Sequence, residues 1–487
     1  MGTADGRVRT WVACSVTVLV AGAVAVASLD LSGRLPGGLV TDGRTPTPVP
    51  SMVQILDPRP ADAPDVLEAQ PGPSGSPGSS GSSATELPVS ALDAVLGSGP
   101  LGPEPGAIVL DVGSTTPLLD RSGAVPRIPA SVAKLATGAA ALVTLDPSSR
   151  LRTRVVSGAV PGEVVLVGAG DTTLTSRRPR AGDHPVLASL ADLADATATA
   201  AASAGMGEVV VRVDDSLFDG PATSPDWPAS YVGSGEVAPV SALSVDAGRV
   251  TPSSTSREPD PALAAGRALA RLLERRGVVV VGTVGRTTVP PGAEELAAVS
   301  SPTVAALVEL MVSTSDDDLA ESLFRLVAVS AGLPGTFADG GDVVTQALRD
   351  LGVPTDGLVL LDGSGLARGS SIAPETLARL LVTAADGTRP VLGALVSGLP
   401  VAGFSGTLSL RFGGGRTGSA AGLVRAKTGT LTGVSTLAGL ASVAGRPVVF
   451  VVMSDQVPAD TLAARDALDR FAATLVGAPR TPPDGGG

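Results

Sequence analysis

Asparagine is absent from this 487-residue chain, and lysine, cysteine and histidine nearly so, with two, one and one residues. One cysteine excludes an internal disulfide and a cysteine-rich zinc site, and one histidine excludes a histidine cluster for a metal. A Ser-His-Asp triad would have to use His184, which lies in a polar turn before an alanine-rich stretch and reads as a surface residue. Basic clusters of the kind that track phosphates are also missing. With 35 basic against 47 acidic residues the net charge is -12, so no nucleic-acid partner is expected. What is present, at 44% hydrophobic residues, is ample material for a buried core.

The scarcity of lysine makes its two positions informative. They are Ser131-Val132-Ala133-Lys134 and Lys427-Thr428-Gly429, while the remaining 33 basic residues are all arginine. Arginine serves for surface charge, ion pairs and helix ends. Only lysine offers a compact amine that can lose its proton when buried or placed beside another cation. Compositional pressure accounts for the shortage of lysine and asparagine but not for where the last two lysines stand. They mark the candidate active site.

Thr10 to Leu29 is a mostly apolar, uncharged run preceded by Arg7 and Arg9. Its length spans a bilayer and the arginines place the N-terminus in the cytoplasm, whereas Ala25-Val26-Ala27 could equally be a signal-peptidase site. Residues 1–29 are therefore expected to be a cytoplasmic tip with a transmembrane anchor or signal segment, and the rest extracytoplasmic, anchored to the membrane or secreted. Cys14 falls near the start of the run and reads as a small apolar helix residue. Residues 30–86 are rich in Pro, Gly and Ser and cannot bury enough apolar surface to fold. They form a disordered tether with an expected end-to-end distance of roughly 40 Å. Residues 478–487 read as a disordered tail.

Between these ends helical and strand patterns mix, and no internal repeat appears. Strands are expected near 106–112, 151–167, 207–213 and 278–281, and helices at 131–145, 185–204, 260–276, 302–312, 317–331, 341–351 and 374–384. The chain closes with strands at 423–428, 434–442 and 447–453 and a helix at 459–475. This is an α+β pattern.

On the predicted helix Ser131 and Lys134 are three residues apart and share a face, so the amine can reach the hydroxyl. Serine needs a base to attack a carbonyl, and no suitable histidine is available. A lysine can serve if it becomes neutral, although free lysine, with a pKa of about 10.4, is charged at pH 7. Burial and a second nearby cation are the two physical routes, and Lys427 is the only other ammonium. At the end of its predicted strand, Lys427-Thr428-Gly429 offers charge for a carboxylate, a hydroxyl, and room for a substrate backbone to approach.

An S-x-x-K serine followed far downstream by K-T-G is similar to the signature of penicillin-binding proteins and class A β-lactamases. Ser315-Asp316-Asp317-Asp318-Leu319-Ala320-Glu321 resembles the middle motif of one branch. This is the D-alanyl-D-alanine carboxypeptidase and endopeptidase family, the class C low-molecular-mass penicillin-binding proteins. Leu361-Asp362-Gly363-Ser364-Gly365-Leu366 with Ala367-Arg368 resembles a second mark of that family, as do Gly168 to Asp171 and Pro239 to Ser244. By themselves, Asp362 to Leu366 and Gly168 to Asp171 read as shaping turns, the latter a hairpin.

The resemblance covers about 87–477 and implies a penicillin-binding protein/β-lactamase-like transpeptidase domain, an antiparallel sheet flanked by helices. That domain would be assembled from 87–149 and 291–477, with strand-rich inserted domains at 150–290. The 184 positions from Ser131 to Ser315 exceed the single helical layer of a compact β-lactamase. The resemblance further implies Ser131 as nucleophile, Lys134 as its base and Ser315 as proton relay. Backbone N–H groups of Ser131 and Thr430 would hold the oxyanion, and Lys427 with Thr428 would bind the substrate's terminal carboxylate, with Gly429 leaving room for the substrate backbone. The substrate would be a peptidoglycan stem peptide, β-lactams would inhibit, and no metal or cofactor is required.

Asp317 departs from the family pattern, which has asparagine there in contact with substrate and the catalytic lysine. A carboxylate cannot donate a hydrogen bond unless protonated, and within about 4 to 6 Å of Lys134 it would favour the ammonium over the neutral amine. Compositional drift explains the change as well as a selected loss of activity does. A second reading is therefore a catalytically weak cell-wall binding protein that keeps the fold. A β-lactamase is a third, without an obvious deacylating glutamate motif.

Overall fold

The computed structural model describes residues 87–114, 116–458 and 460–477. The apolar run at Thr10 to Leu29, the 30–86 tether and the 478–487 tail expected from the sequence lie outside the described residues. The described residues fall within one compact unit.

Along the chain, helix α1 (Val89–Leu96) leads to strands β1 (Gly106–Asp111) and β2 (Pro117–Arg121), then a 3₁₀ turn, Ala130–Ala133, running into α2 (Lys134–Thr144). Strands β3 (Arg150–Ser157) and β4 (Glu163–Val167), helix α3 (Leu190–Ser203), β5 (Glu208–Asp214), α4 (Pro261–Glu274), β6 (Val279–Val280), β7 (Gly285–Arg286) and β8 (Glu295–Thr303) follow. A helical block comes next: α5 (Val304–Thr314), α6 (Asp317–Ser330), α7 (Phe337–Asp350) and α8 (Pro374–Ala385). Strands β9 (Val424–Leu431), β10 (Val434–Val443) and β11 (Arg446–Ser454) and helix α9 (Thr461–Val476) complete it.

The first sheet runs β2-β1-β11-β10-β9, with every neighbouring pair antiparallel. Its central strands are valine-rich, and period-2 alternation separates two cores. Ile108, Leu110, Val449 and Val451 face the block of α2, α5, α6, α7 and α8. Ala107, Val109, Val448, Phe450 and Val452 face the other way, against α1 and α9. Each such valine or phenylalanine, fully buried, contributes about 1.5–3 kcal/mol. The sheet therefore has helices on both faces, and β9 is left as an edge.

The second sheet, β6-β5-β4-β3-β8 with β7 also on β5, is mixed: β3 is antiparallel to β4 and β8, while β5 is parallel to β4, β6 and β7. One face, with Val155, Leu166, Val211 and Val213, buries α3 and α4. This corrects the hairpin expected at Gly168 to Asp171. Strands β4 and β5 are parallel, and parallel neighbours need a crossover, which α3 supplies. Gly170 N instead donates to Ala242 O (2.7 Å), joining the turn to the Pro239 to Ser244 loop.

Among the described residues no helix is long and apolar enough to cross a membrane.

Candidate active site

The predicted helix from Ser131 begins instead as the 3₁₀ turn, entered through Ala130 in the left-handed region (φ 48). In 3₁₀ geometry residues i and i+3 eclipse, so Ser131 and Lys134 stack more directly than on an α-helix. Lys134 Nζ lies 3.1 Å from Ser131 Oγ. It also donates to Asp317 Oδ1 (2.6 Å) and to the carbonyl of Ser364 (2.8 Å). Three acceptors use all three protons of an ammonium. Lys134 is fully buried, whereas the Asp317 side chain is 21% exposed.

Ser315 and Asp317 reach this point because α5 and α6 meet at a tight corner. Ser315 closes α5 in the left-handed region (φ 62), and Asp316 caps α6 by accepting from Leu319 N (2.8 Å). Asp317 is thus the first residue of α6 and points back at α2.

Lys427 comes from the edge strand β9. Its Nζ donates to Ser315 Oγ (2.7 Å) and to its neighbour's carbonyl, Thr428 O (2.8 Å). Burial pushes this amine well below the ordinary lysine value. The charge of Lys134 adds to that shift and Asp317 opposes it. Gly429 brings β9 against the serine turn: a Cβ there would lie 3.0 Å from Ser131 N and 2.2 Å from Thr436 Oγ1, so only glycine fits. Thr428 directs its hydroxyl to Thr407 Oγ1 (3.0 Å).

Ser131, Asp317 and Thr430 line one cavity of about 420 Å³, together with Tyr231, Glu236 and Leu366. The structure therefore draws Ser131, Lys134, Ser315, Asp317, Lys427, Gly429 and Thr430 into one place from five elements, the 3₁₀ turn, α2, the end of α5, α6 and β9. Thr428 stands beside them with its hydroxyl turned to Thr407. Tyr231, in the short helix Ser230–Ser234, and Glu236, in the turn after it, carried no sequence signal, because only the fold brings them to the serine. Two fully buried carboxyl groups, Glu321 and Asp362, stand next to Lys134's third acceptor. Burial and the charge of Asp362 push Glu321 up to about 8. Burial likewise raises Asp362, against hydrogen bonds from Trp227, Ala367 and Gly365. His184 is exposed in the loop before α3. Among the described residues no group of three or more His, Cys, Asp or Glu side chains is arranged to hold a metal ion.

A profile described as the D-Ala-D-Ala carboxypeptidase 3 (S13) family matches residues 89–260 and 255–475. A carboxypeptidase of Mycobacterium tuberculosis is 38% identical over 357 residues, covering 72% of this chain and 76% of the relative. Carboxypeptidase DacB of Mycolicibacterium smegmatis is 38% identical over 396 residues, covering 79% of this chain and 83% of the relative. The crystal structure of penicillin binding protein 4 from Haemophilus influenzae superposes with a TM-score of 0.65 at 23% identity, covering 80% of this chain and 98% of that one. At that identity the superposition speaks for the fold.

Proposed function

This chain belongs to the D-Ala-D-Ala carboxypeptidase (S13) family and is a serine-type peptidoglycan D,D-peptidase, and from that premise we propose how it acts. Ser131 Oγ attacks the carbonyl between the two D-alanines of a stem peptide, and its proton passes to Lys134 Nζ. Backbone N–H groups of Ser131 and Thr430 hold the developing oxyanion. The C–N bond then breaks as the leaving D-alanine amine takes up the proton through Ser315, and Lys427 with Thr428 engages its carboxylate while Gly429 leaves room for the substrate backbone. Water cleaves the resulting ester and frees Ser131.

The observation that carries this reading is the pairing of each buried lysine with a serine hydroxyl, Lys134 with Ser131 at 3.1 Å and Lys427 with Ser315 at 2.7 Å, beside one cavity. Incubation with a penicillin should add its mass to the intact protein at Ser131, and D-alanine should be released from a pentapeptide. Ser131→Ala should abolish both. Lys134→Arg should abolish acylation in a folded protein, because a guanidinium does not give up its proton. A mass shift that persists in Ser131→Ala would remove the assignment.

The ion pair of Asp317 with Lys134 at 2.6 Å favours a second reading, a catalytically weak protein that binds stem peptides. Reversible penicillin binding without an adduct would support it. The finer activity we assign is carboxypeptidase action with endopeptidase action on D-alanine cross-links, which a cross-linked dimer substrate tests directly. The run Thr10 to Leu29 supports an extracytoplasmic place of work, by anchor or cleaved signal. Fractionation and N-terminal sequencing of the mature protein decide between them.

A further inference from the structure

Five consecutive backbone N–H groups, Gly363 to Ala367, are taken up by side chains. Glu321 accepts from Gly363 N (Oε2, 3.0 Å) and Ser364 N (Oε1, 2.8 Å). Asp362 accepts from Gly365 N (Oδ1, 3.0 Å) and Ala367 N (Oδ2, 2.6 Å), and Ser364 Oγ from Leu366 N (3.3 Å). All three side chains are fully buried. A turn with its donors fixed this way has its carbonyls aimed. Two of them point at α2: Gly363 O accepts from Thr137 Oγ1 (2.7 Å) and Ser364 O from Lys134 Nζ (2.8 Å). Trp227 Nε1 also donates to Asp362 Oδ2 (2.8 Å), and Trp227 begins the segment that carries Tyr231 and Glu236 into the cavity wall.

We propose that Glu321 and Asp362 are positioning residues of the peptidase reaction, holding the 363–367 turn so that Ser364 O fixes the Lys134 amine against Ser131. Neither touches Ser131; they act through the turn. A burial of two carboxyl groups side by side is costly. A neutral apolar packing would serve the core better, so the arrangement is explained by what it aims. Asp362, through Trp227, also ties the cavity wall to the same turn. The inference rests on the proposed use of Lys134 as the base.

The test is pre-steady-state acylation of the full chain by a penicillin, resolving the non-covalent dissociation constant from the acylation rate constant, for Glu321→Gln, Asp362→Asn and Thr137→Val. An amide at 321 or 362 turns an NH₂ toward a backbone N–H and loses one acceptor. The acylation rate constant should fall by about 30-fold or more in the two carboxyl variants and about threefold or more in Thr137→Val, with the dissociation constant within about threefold of wild type. A purely structural role would instead lower the melting temperature and leave the rate constant of the folded protein unchanged. Should the buried variants fail to fold, Thr137→Val decides, since valine is close to isosteric and leaves both carboxyl groups in place. Unchanged acylation rate constants in the folded variants, with a wild type that is acylated, overturn this inference alone. A wild type that penicillin does not acylate overturns the functional reading and this inference with it.

Discussion

At Asp317 a carboxylate oxygen lies 2.6 Å from the Lys134 amine, so an amine that is to take the Ser131 proton must first lose its own against that attraction. The contact is shorter than the sequence argument needed. Asparagine would offer an amide oxygen and an N–H in the same place without the charge. Asp317→Asn should therefore speed penicillin acylation at pH 7 by roughly tenfold or more, since tenfold corresponds to about 1.4 kcal/mol. Acylation rate constants of the two proteins check this, and equal rates would show that Asp317 does not restrain Lys134. The scarcity of lysine alone singled out Lys134 and Lys427 in the sequence. Tyr231 and Glu236 were not legible there, because nothing local marks residues of a short helix and its turn that only the fold delivers to the serine.

The elements around the serine share one packed core and enter the site through short corners with left-handed backbone. The 3₁₀ turn enters through Ala130 at φ 48, α5 ends through Ser315 at φ 62, and the 363–367 turn passes under Ala130 at Gly365, with φ 83. A Cβ on Gly365 would lie 2.0 Å from Ala130 O and 3.0 Å from Ala133 Cβ. Both backbone conformation and space therefore require glycine there. Gly365→Ala should push the Ser131 turn out of place, lowering penicillin acylation by about tenfold or more while a folded, less stable protein remains. Circular dichroism together with labelling rates tests it. Full activity in the variant would mean that the turn yields and that the serine's position does not depend on it. Nearly every long helix and every strand of the first sheet except β2 was foreseeable by period. The 3₁₀ start at Ser131 was not, because the alanine-rich sequence suits either helix and the choice is made by what packs on Ala130.

For the whole molecule, buried carboxyl groups make stability depend on pH in a direction opposite to the usual one. Burial pushes Glu321 up to about 8 and Asp171 up to about 6. A group whose folded value is raised favours folding fully below its unfolded value, near 4.5 for Glu321, and loses that contribution as pH rises through the folded value. Lys427 works in the other direction, because its lowered value favours the folded state as pH rises. Comparing variants isolates one group. Glutamine has no proton to lose, so the melting temperature of wild type minus that of Glu321→Gln should shrink between pH 5 and pH 9, by a few degrees. Scanning calorimetry at fixed ionic strength measures it. A difference that is constant or grows with pH would show that Glu321 is ionised in the folded protein throughout.

The sequence by itself determined the chemistry and the class: two lysines placed in S-x-x-K and K-T-G, alternating valine-rich strands, helical periods, and motifs enough to identify a D,D-peptidase family. These are properties of spacing and residue type, which local physics reads directly. Tertiary structure alone decided that the buried Glu321 and Asp362 stand behind the Lys134 amine and which carbonyl holds it, that of Ser364, which reaches Lys134 across 230 positions. The parallel pairing of β4 with β5 was likewise invisible, since a glycine-rich turn is compatible with a hairpin or a crossover until a third element claims the strand. Contacts that distant in sequence are selected by packing of the whole core, in which each helix can present its apolar face in only one way, and no window of residues contains that information.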